Sequence, residues 1–141
     1  PKPFFWALRV LFSPVWFPPR AAWKKGADSF AVTLTNQYNA IDLKDCVLRT
    51  QQNSGGKWMS MVRQYRDVPV TCPPGKTVTL DVPIWHDGMK KALADGSFGY
   101  CRFNLLDPKG FRPITADVFV MPKEMIARYN DVMPVGPDAV L

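Results

Sequence analysis

Twelve carboxylates, one histidine and three cysteines are the side chains of this 141-residue chain best equipped for acid–base, nucleophilic or metal chemistry. Their types and spacing argue against such roles. Glu124 is the only glutamate, and the aspartates fall mostly at turns or on solvent faces: Asp95, Asp107 and Asp138 beside Gly or Pro, Asp45 and Asp81 on strands. Turn aspartates bond nearby backbone, and no pair stands out as an acid and a base facing one another across a scissile bond. His86, in Ile84-Trp85-His86-Asp87-Gly88, is the only candidate base, and an adjacent aspartate does not by itself orient an imidazole. No G-x-S-x-G elbow surrounds a serine, and no glycine-rich phosphate loop occurs. Cys46, Cys72 and Cys101 contain no C-x-x-C spacing, so a zinc site is not expected. The expectation is a chain with no catalytic residue, no metal and no cofactor of its own.

Binding is the remaining class. Exposed tryptophans can form sugar platforms, and of the five present Trp58 and Trp85 are the one plausible pair. Trp6, Trp16 and Trp23 fall in the N-terminal segment, where packing explains them, and core or interface packing is the favoured reading for the pair as well. The net charge of +6 invites a nucleic-acid reading. The basic residues are scattered, however, with no arginine-rich stripe and no recognised motif, so no nucleic-acid partner is expected. The apolar stretch 4–17 is interrupted by Arg9 and Pro14 and is shorter than the roughly 20 residues of a membrane span, so no membrane partner is expected either.

The elements that must position these residues read as mostly β. With 47% hydrophobic and 13% aromatic residues the chain is a folded globular protein of one-domain length. Fourteen prolines spread along it favour strands and turns over helices. Residues 3–12 have helix formers and predict a short N-terminal helix, apolar on nearly every side, that must lie against other protein. Val15-Trp16-Phe17 reads as a short strand closed by Pro18-Pro19. From residue 29 the period becomes two: Phe30, Val32 and Leu34 alternate with Ala31, Thr33 and Thr35. Cys46, Leu48 and Thr50 share a face of the next strand, and Trp58 to Tyr65 suggests another. Cys72-Pro73-Pro74-Gly75 is a rigid turn. Val78, Leu80, Val82 and Ile84 then form the cleanest alternation. Lys90 to Ala94 suggests a short helical turn. Cys101, Phe103 and Leu105 alternate with Tyr100, Arg102 and Asn104, and Ile114, Ala116, Val118 and Val120 form a last strand.

About seven short strands joined by turns predict an all-β chain, an immunoglobulin-like antiparallel β-sandwich with a short N-terminal helix. Three segments follow: a helix over 1–13, the sandwich over 14–122, and a helical turn with tail or linker over 123–141. Cys46 and Cys101 occupy core-facing positions where such a sandwich can carry a bridge. Two buried free thiols are the favoured reading and a disulfide the alternative.

The order of these pieces resembles a known family. PKPFFWALRVLFSPVWF is similar to the stretch of glycoside hydrolase family 2, the β-galactosidase type, where the last helix of the catalytic barrel hands over to the next domain. FAVTLTNQYNAIDLKDCVLRTQQNSGGK resembles the following strand pair, with its Asn-aromatic step, Leu-x-Asp step and glycine turn. VPVTCPPGKTVTLDVPI is similar to the Pro-Gly turn and strict strand, and GYCRFNLLD to a later core strand. Cysteine at 46, where relatives often carry an aromatic or aliphatic residue, is a departure. The resemblance spans residues 1 to about 121 and implies the immunoglobulin-like domain that follows the barrel. It implies a supporting and spacing role beside the barrel and neighbouring domains, in a parent that hydrolyses a β-linked sugar by retaining double displacement. In the family both catalytic carboxylates are barrel glutamates, and no residue here matches either. Residues 3–12 would be a barrel helix that folds back on the sheets or pairs with a second copy as a dimer. The family is compatible with a periplasmic or secreted parent, although no residue here marks a compartment.

Overall fold

Eight strands in two sheets carry the architecture of the computed structural model, which describes residues 13–55 and 63–132. The expected N-terminal helix, Trp58 and the tail from Met133 lie outside the described residues. The strands are β1 (Val15–Trp16), β2 (Arg20–Trp23), β3 (Ser29–Asn36), β4 (Val47–Ser54), β5 (Arg66–Val68), β6 (Thr77–Pro83), β7 (Gly99–Leu106) and β8 (Ile114–Pro122). Two α-helices are present among the described residues, α1 (Asp87–Ala94) and α2 (Lys123–Val132). The smaller sheet runs β1-β3-β6 and the larger β2-β8-β7-β4-β5.

Alternation decides which side of each strand is buried. Phe30, Val32 and Leu34 of β3 stand opposite Val82, Leu80 and Val78 of β6. Their solvent side is held by hydroxyl pairs, Thr33 with Thr79 at 2.9 Å and Thr35 with Thr77 at 3.0 Å. In the larger sheet Leu48 faces Leu105 and Thr50 faces Phe103, while Val118 and Val120 of β8 complete the inner surface. Residues of both sheets join one hydrophobic core. The all-β expectation therefore holds, and the alternating strands around Phe30, Val82, Phe103 and Val118 stand where the pattern put them.

One pairing departs from the antiparallel expectation. β2 runs parallel to β8, Arg20 beside Phe119 through Trp23 beside Pro122. The cause is Pro18-Pro19. The two imino acids cannot donate to a ladder, so the chain leaves the smaller sheet after Trp16 and joins the larger one without reversing direction. The Phe119 amide completes the transfer by donating to the Pro19 carbonyl at 2.9 Å. The strand expected over Trp58–Tyr65 lies largely outside the described residues; Arg63–Tyr65 form no strand, and β5, which pairs with Leu48–Thr50, begins only at Arg66.

Two buried polar side chains fix the loops to this frame. Asn36, at 0% exposure, donates through Nδ2 to the carbonyls of Ile41 and Cys72, both at 2.8 Å, and accepts from the Tyr38 amide at 2.9 Å. Gln52, also at 0%, donates from Nε2 to the Pro83 carbonyl at 2.8 Å. Its Oε1 accepts the amides of Trp85 and His86 at 3.1 and 3.3 Å. Gln52 thus ties the larger sheet to the exit of β6 in the smaller one.

Candidate functional site

The outer face of the larger sheet gathers the polar and aromatic side chains that the core leaves over. Register sorts them into rows across the strands. Phe119 of β8 lies beside Tyr100 of β7, and Asp117 beside Arg102. Thr115 pairs with Asn104, which stands next to Arg49 of β4, and Arg49 next to Asp67 of β5.

Each row is locked by its own contacts. Arg102 Nε and Nη2 reach the two Asp117 oxygens at 2.8 and 3.2 Å. Arg49 makes the same fork with Asp67 at 2.9 and 3.4 Å, and its guanidinium lies 3.9 Å from the Tyr65 ring centroid. Thr115 donates to Asn104 Oδ1 at 2.9 Å, and Asn104 Nδ2 donates to Gln51 Oε1 at 3.2 Å. Phe119 is met edge-on by Phe98 and by Tyr100, with ring centroids 5.9 and 5.1 Å away. The hydrogen bond to Asp117 holds the Arg102 guanidinium above its ordinary value, and Asp67 does the same for Arg49. Burial, reinforced by Asp117, holds the Tyr100 hydroxyl above the usual phenol range. Forked pairs at such exposure contribute at most about 1 kcal/mol each to stability. Their larger consequence is orientation: the donors and acceptors of the face are fixed before any ligand arrives.

The sequence-based candidates among the described residues lie elsewhere. Trp58 is outside the described residues, so the platform pair reduces to Trp85, which follows β6. Trp85 is half-buried, and its indole N–H points at Thr50 Oγ1, 3.4 Å away. Arg66 stands 5.5 Å from its ring centroid. His86 caps α1: Nδ1 accepts the Met89 amide at 3.2 Å, which occupies the nitrogen a general base would use. Trp16 is exposed, whereas Trp23 is buried and donates to the Ala27 carbonyl at 2.9 Å. The Asp107 carboxylate caps its own turn, accepting the amides of Lys109 and Phe111.

All three cysteines are free thiols. The register explains why Cys46 and Cys101 do not bridge. Cys101 faces Gln52, and Cys46 precedes the strand six positions away, about 20 Å at strand rise. Burial pushes the Cys101 thiol well above its ordinary value, so it is chemically quiet. Burial also raises Cys46, with Asp107 and two further carboxylates adding to the shift.

Among the described residues, no three His, Cys, Asp or Glu side chains cluster as metal ligands would. A groove of about 400 Å³ between Trp23, Leu93, Pro122 and Glu124 is mostly apolar, with Lys25 and Glu124 its charged lining groups. No protein-family model matches the chain, and no curated protein matches it. The outer rows are what sequence reasoning missed. Tyr100, Arg102 and Asn104 were legible as the outward half of a strand, but their partners 11–19 residues away depend on the β7–β8 register.

Proposed function

We propose that this chain is an immunoglobulin-like domain that supports and spaces the catalytic part of a larger glycoside hydrolase of the β-galactosidase type, and that it has no catalytic role of its own. The observation that carries this reading is the strand order. A first strand divided between two sheets, with its second half parallel to the last strand, is the arrangement expected where β1, β3 and β6 take the places of strands A, B and E. β8, β7, β4 and β5 then take those of G, F, C and C′. One of the stretches that resemble family 2, residues 30–57, begins in β3 and takes in β4, and its Asn-aromatic step is Asn36 and Tyr38. Those two residues close the loop leaving β3, which supports a structural rather than chemical use of the motif. In this reading the two glutamates of the retaining mechanism belong to a barrel outside this sequence.

The native polypeptide tests the proposal. Peptides of this chain should co-migrate with β-glycosidase activity in a protein several times larger, and the 141 residues alone should leave chromogenic β-galactosides intact. A native protein without a barrel, or turnover by the isolated chain, would refute it.

A further inference from the structure

The outer face of the larger sheet is built for more than spacing. We infer that it binds a neutral, hydroxyl-rich oligosaccharide laid across the strands from Phe119 to Tyr65. The inference stands on this geometry alone, goes beyond the supporting-domain reading, and does not require the parent to be a hydrolase.

Three observations define the occupant. The first is aromatic. Phe119 is 38% exposed and Tyr65 52%, one on β8 and the other beside β5. Phe119 is immobilised by Phe98 and Tyr100, and Tyr65 by Arg49. Rings held in place offer apolar area at low entropic cost, which suits the C–H faces of pyranoses. β8 and β5 are separated by three strand intervals, about 14 Å in all. That distance accommodates roughly three sugar rings end to end.

The second is charge. Arg102 is neutralised by Asp117 and Arg49 by Asp67 before any ligand binds. A phosphate or carboxylate ligand would meet guanidinium groups whose charge a carboxylate already matches, and a cationic one would meet carboxylates matched in the same way. A polyol needs no unmatched charge. Each guanidinium has five N–H donors and each carboxylate about four lone-pair sites; the forks use two of each, and the Tyr100 hydroxyl draws further on the Arg102–Asp117 pair. The remainder supplies fixed donors and acceptors side by side, as adjacent hydroxyls require.

The third is the interruption of apolar surface. The aromatic stations are separated by the charged groups Arg102, Asp117 and Arg49, with Asn104 buried beneath them, so the face lacks the continuous dry centre on which a protein interface depends. A second copy of the chain is therefore the weaker occupant.

The test is calorimetric titration of the whole chain with β-linked galacto-, gluco- and xylo-tetraoses, at concentrations reaching a Kd of about 1 mM. At least one tetraose should bind saturably. Phe119→Ala should weaken it roughly tenfold or more, and so should Tyr65→Ala, which lies at the other end and outside the core. Arg49→Met, which keeps the stem and removes the spare donors, should weaken it as well. Circular dichroism melts identify any variant that fails to fold, and Tyr65→Ala keeps the test open if Phe119→Ala does. No heat with any tetraose overturns the inference, as does binding that survives both aromatic replacements. Sedimentation velocity provides a further arm: a dimer dissolved by Tyr65→Ala would assign the face to a second copy and overturn the glycan.

Discussion

Replacing Asn36 tests the claim that a buried amide, rather than the apolar core alone, holds the loops to the smaller sheet. Its side chain makes three hydrogen bonds, to the carbonyls of Ile41 and Cys72 and from the amide of Tyr38, at 0% exposure. At about 1 kcal/mol net per bond, Asn36→Ala should cost roughly 3 kcal/mol. For a chain of this length that is a fall in Tm of about 10 °C. Asn36→Asp separates hydrogen bonding from packing, because it keeps the shape and turns the two-proton donor into an acceptor facing two carbonyl oxygens. That environment, with burial, must raise the folded pKa of the new carboxyl above the unfolded value of about 3.9. Below that value both states are protonated, and the aspartic acid can still donate one bond. As pH rises, the unfolded chain releases its proton first, so stability falls through the window up to the folded pKa. Each unit of upward shift is worth 1.36 kcal/mol. Urea unfolding of wild type, Asn36→Ala and Asn36→Asp at about pH 4 and about pH 7 reads both effects. The Asp variant should resemble Ala at the acid end and fall clearly below it at neutrality. A loss under about 1 kcal/mol for Ala, or a gap between the variants that does not widen with pH, would show that Asn36 is not the anchor described.

Other consequences are equally direct. Gln52→Leu removes the acceptor for the Trp85 and His86 amides and the donor to Pro83, and should cost about 2–4 kcal/mol in chemical denaturation. Gly55→Val places a side chain where the Phe98 ring lies; it should cost about 1–3 kcal/mol and move the aromatic proton shifts of Phe98 and Phe119. Cys101, buried and with its pKa pushed up, should resist thiol reagents in the folded chain, while the half-buried Cys46 reacts first. The same raised pKa makes stability fall as pH climbs above the ordinary thiol value of 9.0, because the unfolded chain ionises there and the folded one does not. Cys101→Val should flatten that alkaline slope in melts taken across the range.

The strands that alternate strongly were readable because burial on one face imposes a period of two, which β3, β6 and β8 follow and which β7 keeps as far as Phe103, before Asn104 is buried as well. β2 was not readable: Arg-Ala-Ala-Trp is four residues with two alanines, and its parallel partner lies about a hundred positions away. Sequence alone predicts only a turn over Lys90–Ala94 in place of helix α1, because Gly88 weakens the pattern and histidine is an uncommon cap. His86 nevertheless supplies the acceptor, and the helix begins at Asp87. Gln52 carries no sequence signal for its role, because a glutamine letter gives no hint that its carbonyl and amide find three backbone partners across the core. The rows of the outer face were hidden for a related reason. Sequence shows which side chains alternate, but an Arg102–Asp117 fork exists only once two strands have chosen their register.

That division between the faces also separates stability from binding. Gln52 points into the core and ties the sheets together, whereas Phe98 props a ring on the outer surface. Well below its melting temperature, Gln52→Leu should therefore keep whatever affinity the outer rows have, since β4, β7 and β8 remain paired. Gly55→Val should lose both, because displacing Phe98 releases Phe119 from one of its two edge contacts. A site on central strands is held by its ladder hydrogen bonds and by its own cross-strand forks. The pair of variants, measured for unfolding and for tetraose binding in the same buffer, distinguishes a surface that acts through fixed geometry from one that depends on overall stability. Equal loss of affinity in both would refute the division, since Gln52 touches none of the outer rows.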